Sequence, residues 1–143
     1  VGSEMCIRDS FHSIEVEDLT KHKMDSEQMF INREACDIVN ETKREGRHVC
    51  AVGTSVLKAT ETAIGTDKML KEYEGWTNKF IFPPYECGLA DSMIANFYQS
   101  MSPLLMATCA FGGYELIMEA YQKAVKHGYK FGCYGDAMLI VND

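Results

Sequence analysis

Residues 48–65, HVCAVGTSVLKATETAIG, contain the pattern that decides the fold. Residues 48–52 form a short apolar run, which is typical of a buried strand. Gly53, Thr54 and Ser55 follow at once as a tight turn, and residues 56–64 favour a helix that ends at Gly65. The stretch therefore predicts one strand–turn–helix unit of an α/β domain.

Further strands and helices are predicted on both sides of this unit. One helix lies between Asn32 as N-cap and Gly46 just beyond its end, a second begins at Pro103, and a third ends at Gly128. Residues 17–24 and 66–77 are polar and irregular. Strand-like runs occupy residues 11–16, 27–31, 79–82, 92–97, 129–131 and 137–141. This alternation favours a three-layer α/β/α sandwich with a largely parallel sheet.

Composition sets limits on the function. The 143 residues are 46% hydrophobic and 24% charged, as expected for one globular domain or most of one. No apolar stretch is long enough to span a membrane, and the net charge of −7 argues against a histone-like nucleic-acid coat. Basic residues do gather in residues 21–23, 43–48 and 123–130, either as solvated helix ends or as local contacts for a polyanion. The six cysteines lack C-x-x-C or zinc-like spacing, which favours reduced thiols and a cytoplasmic protein.

The first ten residues, VGSEMCIRDS, differ from the rest of the chain. They show no helical or strand period, and they look like a translated sequencing-adapter scar. We therefore exclude residues 1–10 from the fold prediction. The alternative is a native terminal segment with little order.

The turn after the first unit's strand is the strongest local candidate for a binding site. Ligands of open α/β sheets bind beyond the carboxyl ends of the strands, and a helix N-terminus there favours a carboxylate or phosphate. Gly53, Thr54 and Ser55 would contact this anion, and Lys58, one turn into the helix, would reach back towards it. The alternatives are an ordinary N-cap and a solvated surface pair of Lys58 with Glu61. The turn has neither P-loop nor G-x-G-x-x-G spacing.

Two further groups of polar residues are candidates for chemistry. Asp136 and Tyr134, which flank Gly135 between two apolar runs, would offer a carboxylate and a ring face to a cation, or else form a simple turn. His22, Asp25 and Glu27 lie in a polar stretch and are either acid–base groups or a solvated loop.

Several short motifs, taken in order, resemble the S-adenosylmethionine:tRNA ribosyltransferase-isomerase family of queuosine biosynthesis. The resemblance covers nearly the whole chain from Phe11 onwards. Its motifs are HKMDSE at 22–27, AVGTS at 51–55, GWT at 75–77, FIFP at 80–83, NF at 96–97, LLM at 104–106, AF at 110–111 and YGDAML at 134–139.

The resemblance implies a reaction and an architecture. Members of the family transfer and isomerise the ribosyl moiety of S-adenosylmethionine onto 7-aminomethyl-7-deazaguanine in tRNA. The product is epoxyqueuosine-tRNA, and adenine and methionine are released. Full-length members combine an α/β domain with an inserted β-barrel domain. Residues 11–143 would then be the C-terminal part of the α/β domain, inactive alone.

The same resemblance implies residue roles and partners. Asp136, His22 and Lys58 would be catalytic, while Gly53, Thr54, Ser55, Asn96, Tyr134 and Gly135 would bind substrate. We expect no metal and no cofactor, with S-adenosylmethionine serving as cosubstrate. The partners would be that molecule and a tRNA carrying the 7-deazaguanine precursor. The protein would be cytoplasmic, monomeric and not bound to membranes.

Several positions depart from the family pattern, among them Asp25 in place of a second His and Gly113 after Gly112. Lys58 replaces a usual Arg, Ala95 and Tyr98 change a T-N-F-H segment, and Pro103 replaces a usual Thr. With Lys58 in place of Arg, a bidentate guanidinium is lost and anion binding would be weaker. With Tyr98 in place of His, an imidazole is lost and acid–base chemistry would be weaker. A diverged, non-catalytic module that binds a nucleoside or RNA is therefore the main alternative, and an unrelated α/β ligand-binding enzyme is another.

Overall fold

Four helices and five strands form the part of the chain that the structure, a computed structural model, describes: residues 14–15 and 17–142. The helices are α1 (Arg33–Arg44), α2 (Thr54–Ala63), α3 (Pro103–Gly112) and α4 (Tyr114–Lys126). The strands are β1 (Glu27–Ile31), β2 (Cys50–Val52), β3 (Tyr73–Thr77), β4 (Ser92–Asn96) and β5 (Ala137–Val141). A short 3-10 helix, Leu19–Lys21, precedes β1. The predicted α/β class is confirmed, but the sheet is not largely parallel, because of the three strand pairings described only that of β2 with β4 is parallel.

The five strands form two small sheets. β1 and β3 pair antiparallel, with Met29 opposite Gly75. In the second sheet the order is β2–β4–β5, with β2 parallel and β5 antiparallel to β4. The parallel pair brings the carboxyl ends of β2 and β4 to the same edge, where the amino end of β5 also lies. The loops that leave this edge carry most of the candidate site residues.

One hydrophobic core lies between the three-stranded sheet and the helices. Met93 and Ala95 of β4 are almost fully buried in it, together with Leu57 of α2 and Ile117 of α4. A second, smaller cluster joins β1, α1 and the end of α2, through residues such as Met29, Cys36 and Ala63. In both cores the inward-facing residues are apolar, and they recur every second residue along a strand and about every 3.6 residues along a helix. This periodicity is why the helices and strands form where they do.

Helix ends agree closely with the predicted signals. The Asn32 side chain accepts a hydrogen bond from the Ala35 N–H at 2.9 Å at the start of α1. Gly46 and Gly128 follow α1 and α4 with positive φ angles of 68° and 75°, where a residue without a Cβ is unstrained. Helix α2 begins at Thr54, two residues earlier than predicted, because Gly53 is its N-cap.

Four strand predictions need correction. Residues 48–52 contain only the three-residue β2, and Cys50 and Val52 are exposed because the strand lies at a sheet edge with one uncovered face. Residues 66–77 are not irregular throughout, since β3 pairs with β1. Residues 79–82 and 129–131 form no strand: Ile81 is buried without a ladder partner, and Tyr129 bonds back to Ala124. The strand predicted at 11–16 lies mostly outside the described residues, and the segment 1–10 lies wholly outside them.

No helix in residues 14–15 and 17–142 has both the length and the apolar character needed to cross a membrane. The five described cysteines (36, 50, 87, 109 and 133) are free thiols.

Candidate functional site

An open cleft lies where α2 and α3 begin. Both helices start just after the carboxyl ends of β2 and β4, so the cleft is at the sheet edge expected for ligands. Its walls come from the first turns of the two helices, from the segment after β3 and from the residues before β1. The lining residues are Met24, Thr54, Ser55, Lys58, Lys79, Phe80, Ile81, Pro103, Leu104 and Ala107.

The glycine turn positions two hydroxyls at this cleft. Gly53 has φ 94°, and its N–H donates to the Ile94 carbonyl at 2.8 Å, which locks the turn to β4. Thr54 and Ser55 line the cleft, with the Thr54 hydroxyl 3.4 Å from the Tyr98 hydroxyl. The structure therefore places Thr54 and Ser55 in the cleft wall, while Gly53 shapes the turn, and the substrate-binding role of all three stays a prediction.

Lys58 lies in the cleft wall and forms a buried ion pair. Its ammonium contacts the Glu27 carboxylate of β1 at 2.5 Å, and the two side chains are only 10% and 11% exposed. The alternative of a solvated Lys58–Glu61 pair is therefore wrong, because both residues are buried and Glu61 has other partners. The sequence carries no local signal for the Lys58–Glu27 pair, since 31 positions separate the residues.

Glu61 organises the loop that backs the cleft. Its carboxylate accepts hydrogen bonds from the N–H groups of Gly88 and Leu89 at 2.9 and 3.3 Å and from the Tyr85 hydroxyl at 3.1 Å. Burial and the Glu61 charge raise the pKa of Tyr85 well above its usual value, so this hydroxyl remains a donor. The same causes raise the pKa of the Cys87 thiol to about 12, which excludes it as a thiolate nucleophile near neutral pH.

Lys79 is a cleft residue that the sequence analysis missed. Its ammonium donates to the Glu61 backbone carbonyl at 2.7 Å and lies 5.4 Å from the centre of the Tyr85 ring. Within the predicted strand 79–82 this lysine had no distinguishing signal, because its role depends on a bond across 18 positions.

His22 contacts the cleft wall from outside. Its ring is tilted against that of Phe80, with 4.9 Å between centroids, and Phe80 lines the cleft. The imidazole is therefore close to the cleft but does not line it, and its catalytic role stays a prediction.

Asn96, Gly135 and Asp136 form a second group at the same sheet edge. The backbone carbonyl of Asp136 accepts hydrogen bonds from the Phe97 N–H at 3.2 Å and from the Asn96 side-chain amide at 3.4 Å. The side-chain carboxylate of Asp136 accepts a hydrogen bond from the Lys130 N–H at 2.7 Å. A Cβ at Gly135 would lie 2.3 Å from the Lys130 carbonyl oxygen, so only glycine fits. Tyr134, at the tip of this loop, is 98% exposed. None of these four residues lines the cleft.

Two of the divergent positions have structural roles. Tyr98 is buried, its N–H donates to the Tyr121 hydroxyl at 2.8 Å, and its own hydroxyl faces Thr54. Pro103 is the first residue of α3, where a missing N–H costs nothing.

Some side chains in the three predicted basic stretches form ion pairs with nearby carboxylates, which partly neutralise their charge. Lys21 pairs with Asp18, Lys43 with Asp91, Arg47 with Glu45 and Lys123 with Glu119. In the part of the chain that the structure describes, no group of three or more His, Cys, Asp or Glu side chains is arranged to hold a metal ion.

Comparisons with known proteins point to one family. The family profile described as "Queuosine biosynthesis protein" matches residues 6–140. Two relatives, from Phocaeicola vulgatus and Parabacteroides distasonis, are both named S-adenosylmethionine:tRNA ribosyltransferase-isomerase. They are 61% identical over 133 residues and 64% identical over 132 residues, which is 93% and 92% of this chain. The chain spans 38% of the length of each relative.

A solved structure shows the same relationship. The crystal structure of S-adenosylmethionine tRNA ribosyltransferase from Thermotoga maritima is similar to this chain with a TM-score of 0.74 and 40% sequence identity. The match covers 78% of this chain and 39% of that one.

Proposed function

This chain belongs to the queuosine biosynthesis protein family, and on that premise we propose that it provides part of the active site of an S-adenosylmethionine:tRNA ribosyltransferase-isomerase. The observation that carries the proposal is the 61% identity over 133 residues with a relative of that name. The proposed reaction transfers and isomerises the ribosyl moiety of S-adenosylmethionine onto 7-aminomethyl-7-deazaguanine in tRNA. It forms epoxyqueuosine-tRNA and releases adenine and methionine.

We propose that the cleft holds the methionine end of S-adenosylmethionine. The N-terminus of α2 and the hydroxyls of Thr54 and Ser55 offer donors for a carboxylate. Lys58 adds a positive charge at the wall, although its pairing with Glu27 shares that charge with a protein carboxylate. No metal and no further cofactor enter this proposal.

We propose acid–base roles for Asp136 and His22. A sulfonium activates its adjacent C–H bonds, so the reaction needs a base close to the cation. Asp136 lies at the sheet edge next to Asn96, and His22 lies behind Phe80 at the cleft wall. Tyr134, Gly135 and Asn96 would complete the substrate contacts on the Asp136 side.

The proposal is tested in a chimera, because the chain spans only 38% of the length of the Phocaeicola vulgatus relative. The aligned segment of the Phocaeicola vulgatus relative is replaced by the residues of this chain, and adenine release from S-adenosylmethionine is measured with precursor tRNA. We expect turnover within about tenfold of the parent relative, equivalent to ~1.4 kcal/mol in the barrier. A chimera that folds and binds both substrates without releasing adenine would instead support the non-catalytic binding module.

Substitution then tests the proposed base. Asp136→Asn in the chimera should lower kcat by about a hundredfold or more, the usual contribution of a general base. Exposed Asp37→Asn on α1 is the control. Unchanged turnover in the Asp136→Asn chimera would remove Asp136 from the mechanism.

A further inference from the structure

The segment between the end of α4 and the start of β5 carries an excess of positive charge. Residues 120–135 contain no Asp or Glu, although the whole chain has 21 of them. The basic residues of this stretch, all exposed, are Lys123, Lys126, His127 and Lys130. Lys123 pairs with Glu119, whereas within the described residues no ion pair joins Lys126 or Lys130 to a carboxylate. Two exposed ammonium groups here therefore lack a directly bonded counterion.

The loop that follows these lysines is fastened at its base. The Lys130 N–H donates to the Asp136 carboxylate at 2.7 Å, and the Asp136 N–H donates to the Lys130 carbonyl at 2.8 Å. The Gly132 N–H donates to the Phe97 carbonyl at 2.8 Å, just after β4, and the Gly135 N–H donates to the Gly132 carbonyl at 3.0 Å. These bonds close the loop on itself and fix it to the three-stranded sheet.

Tyr134 is presented at the tip of this fastened loop. Its side chain is 98% exposed, and among the described residues its ring has no aromatic neighbour. The rings of Tyr129 and Phe131 behave differently, because they pack against Phe97 with centroids 5.6 and 5.4 Å apart. An aromatic ring that is held in place and left uncovered offers a flat apolar face to a partner.

Lys130 lies beside the Tyr134 loop. The two backbone hydrogen bonds to Asp136 bring it to the base of the loop, and a Cβ at Gly135 would lie 2.3 Å from the Lys130 carbonyl oxygen. The rings on both sides of Lys130 pack against Phe97, while Lys130 itself is exposed. The surface therefore places an ammonium next to an uncovered ring.

This surface is adjacent to the candidate site along the edge of the sheet. The Gly53 turn follows β2, Asp136 precedes β5, and β4 lies between these two strands. Neighbouring strands are about 4.8 Å apart, so the base of the Tyr134 loop lies roughly 10 Å from the glycine turn. A large substrate that reaches the cleft could contact this loop as well.

We propose that residues 126–134 are a contact surface for single-stranded RNA. The Tyr134 ring stacks on a nucleobase, and the Lys126 and Lys130 ammonium groups bind phosphates of the same strand. A strand carries its base and its phosphates at separate places, so the ring and the two ammonium groups need not converge on one point. The inference rests on the proposed function, since the strand would belong to the tRNA that carries the 7-deazaguanine.

The composition of the surface favours RNA over a protein partner. Lysine is depleted in protein–protein interfaces, whereas lysines around an exposed aromatic ring are typical of surfaces that bind single-stranded nucleic acid. Stacking on a ring does not depend on hydrogen-bonding groups of the base. The surface would therefore contribute affinity for the strand without selecting its sequence.

The first experiment tests the stacking contact in the chimera. The Kd for fluorescently labelled precursor tRNA is measured by anisotropy, which does not require turnover. Tyr134→Ala should raise this Kd by about tenfold or more, because a base loses its stacking surface. Tyr134→Phe should keep most of the affinity, because the ring remains. Tyr114→Ala, which removes a 58% exposed tyrosine at the other end of α4, is the matched control.

The second experiment tests the phosphate contacts through their dependence on salt. Lys126→Gln and Lys130→Gln should each raise the Kd for tRNA. Each should also reduce the slope of log Kd against log salt concentration by about 0.7, the value for one phosphate of a single strand. Tyr134→Ala should leave that slope unchanged, because stacking releases no counterion. Lys71→Gln, an exposed lysine paired with Asp67, is the control.

Three results would overturn the proposal. One is a Kd for tRNA that Tyr134→Ala and both lysine variants leave unchanged. Another is weaker binding of S-adenosylmethionine, measured by calorimetry, with unchanged binding of tRNA. The third is a lowered melting temperature of the substituted chimeras, because residues 126–134 would then pack against the remainder of the protein.

The two proposals fail separately. If the unsubstituted chimera binds tRNA but releases no adenine, the proposed reaction is contradicted, and the effects of the variants on the Kd still decide whether this surface binds RNA. If adenine is released and the variants bind tRNA like the parent chimera, only the RNA surface is contradicted.

Discussion

The ion pair between Lys58 and Glu27 is the most buried charge contact described in the chain. Both side chains are about one-tenth exposed, and they join α2 to β1. Taking two charges out of water is costly, and the cost is recovered only while both partners are present. The pair therefore fixes the position of an ammonium at the cleft wall more than it adds stability.

Removing one partner should be more damaging than removing both. We expect Glu27→Gln to lower the free energy of unfolding by about 3 kcal/mol, because the Lys58 ammonium stays buried without its counterion. The double variant Glu27→Gln/Lys58→Met should lose less than the sum of the two single variants. Urea unfolding of the 143-residue chain measures all three. Glu74→Gln, on the exposed side of β3, is the control. A Glu27→Gln chain as stable as the wild type would show that the pair is solvated.

At the scale of elements, helices were predicted better than strands. The start and end of α1 follow from Asn32 and Gly46, whose effects act over three or four residues. Residues 79–82 have the apolar pattern of a strand but no neighbouring strand to pair with in the described sheets. Residues 73–77 look irregular in sequence and form β3 because β1 is beside them. Strand formation thus depends on a partner that the local sequence does not specify.

Asp91 joins three elements through its carboxylate and its backbone. Its carboxylate accepts from the Lys43 ammonium of α1 at 2.9 Å and from the Val49 N–H before β2 at 2.8 Å. Its carbonyl accepts from the Asn142 N–H just after β5. The residue therefore links α1 to both outer strands of the three-stranded sheet.

This link should make stability depend on pH. Burial acts to raise the pKa of Asp91, but the Val49 N–H and the Lys43 ammonium outweigh it and hold the pKa below the usual 3.8. A carboxyl with a lowered folded pKa stabilises the fold above its unfolded pKa, and this contribution is lost as the pH falls through the folded value. We expect the difference in unfolding free energy between wild type and Asp91→Asn to be largest near neutral pH and to shrink below pH 3.8.

Urea unfolding at neutral and acid pH measures this difference. Asp37→Asn on the exposed face of α1 serves as the control, since its partner Arg33 is equally exposed. If the difference in unfolding free energy between wild type and Asp91→Asn stayed constant down to the lowest accessible pH, the lowered pKa of Asp91 would be contradicted.

At the scale of the whole molecule, one face of the three-stranded sheet is exposed and apolar. Val52, Ile94 and Leu139 form a row across β2, β4 and β5, and Val141 lies on the same face. Val52 and Leu139 are 62% and 63% exposed. The opposite face, with Met93 and Ala95, is buried. An apolar patch of this kind favours association or aggregation.

We expect the 143-residue chain alone to be poorly soluble and to self-associate through this sheet face. Leu139→Lys should increase the monomer fraction, because a charge in the middle of the row opposes apolar contact. Val125→Lys, a comparably exposed apolar position on α4, should have little effect. Sedimentation velocity distinguishes the two variants. A wild-type chain that is monodisperse and melts cooperatively would contradict this expectation.

The sequence by itself determined the α/β class, the helix ends, the glycine turn at the cleft and the family. Each of these depends on residues close together in the chain or on motifs in a fixed order. Thr54 and Ser55 could therefore be placed at the start of a helix beyond a strand from sequence, because a helix N-terminus after a strand is a local feature, and their binding role stays a prediction. Asp136 and Asn96 could be nominated in the same way, and their catalytic and binding roles stay predictions.

Only the tertiary structure decided which charges meet. The Lys58–Glu27 pair, the support of Lys79 by Glu61 and the exposure of one sheet face all join segments 18 or more positions apart. Their geometry depends on how strands pair and how helices pack over the cores, and the same local pattern is compatible with several such arrangements. The distribution of charge in the cleft is therefore a property of packing, whereas the turn that forms its base is a property of the sequence.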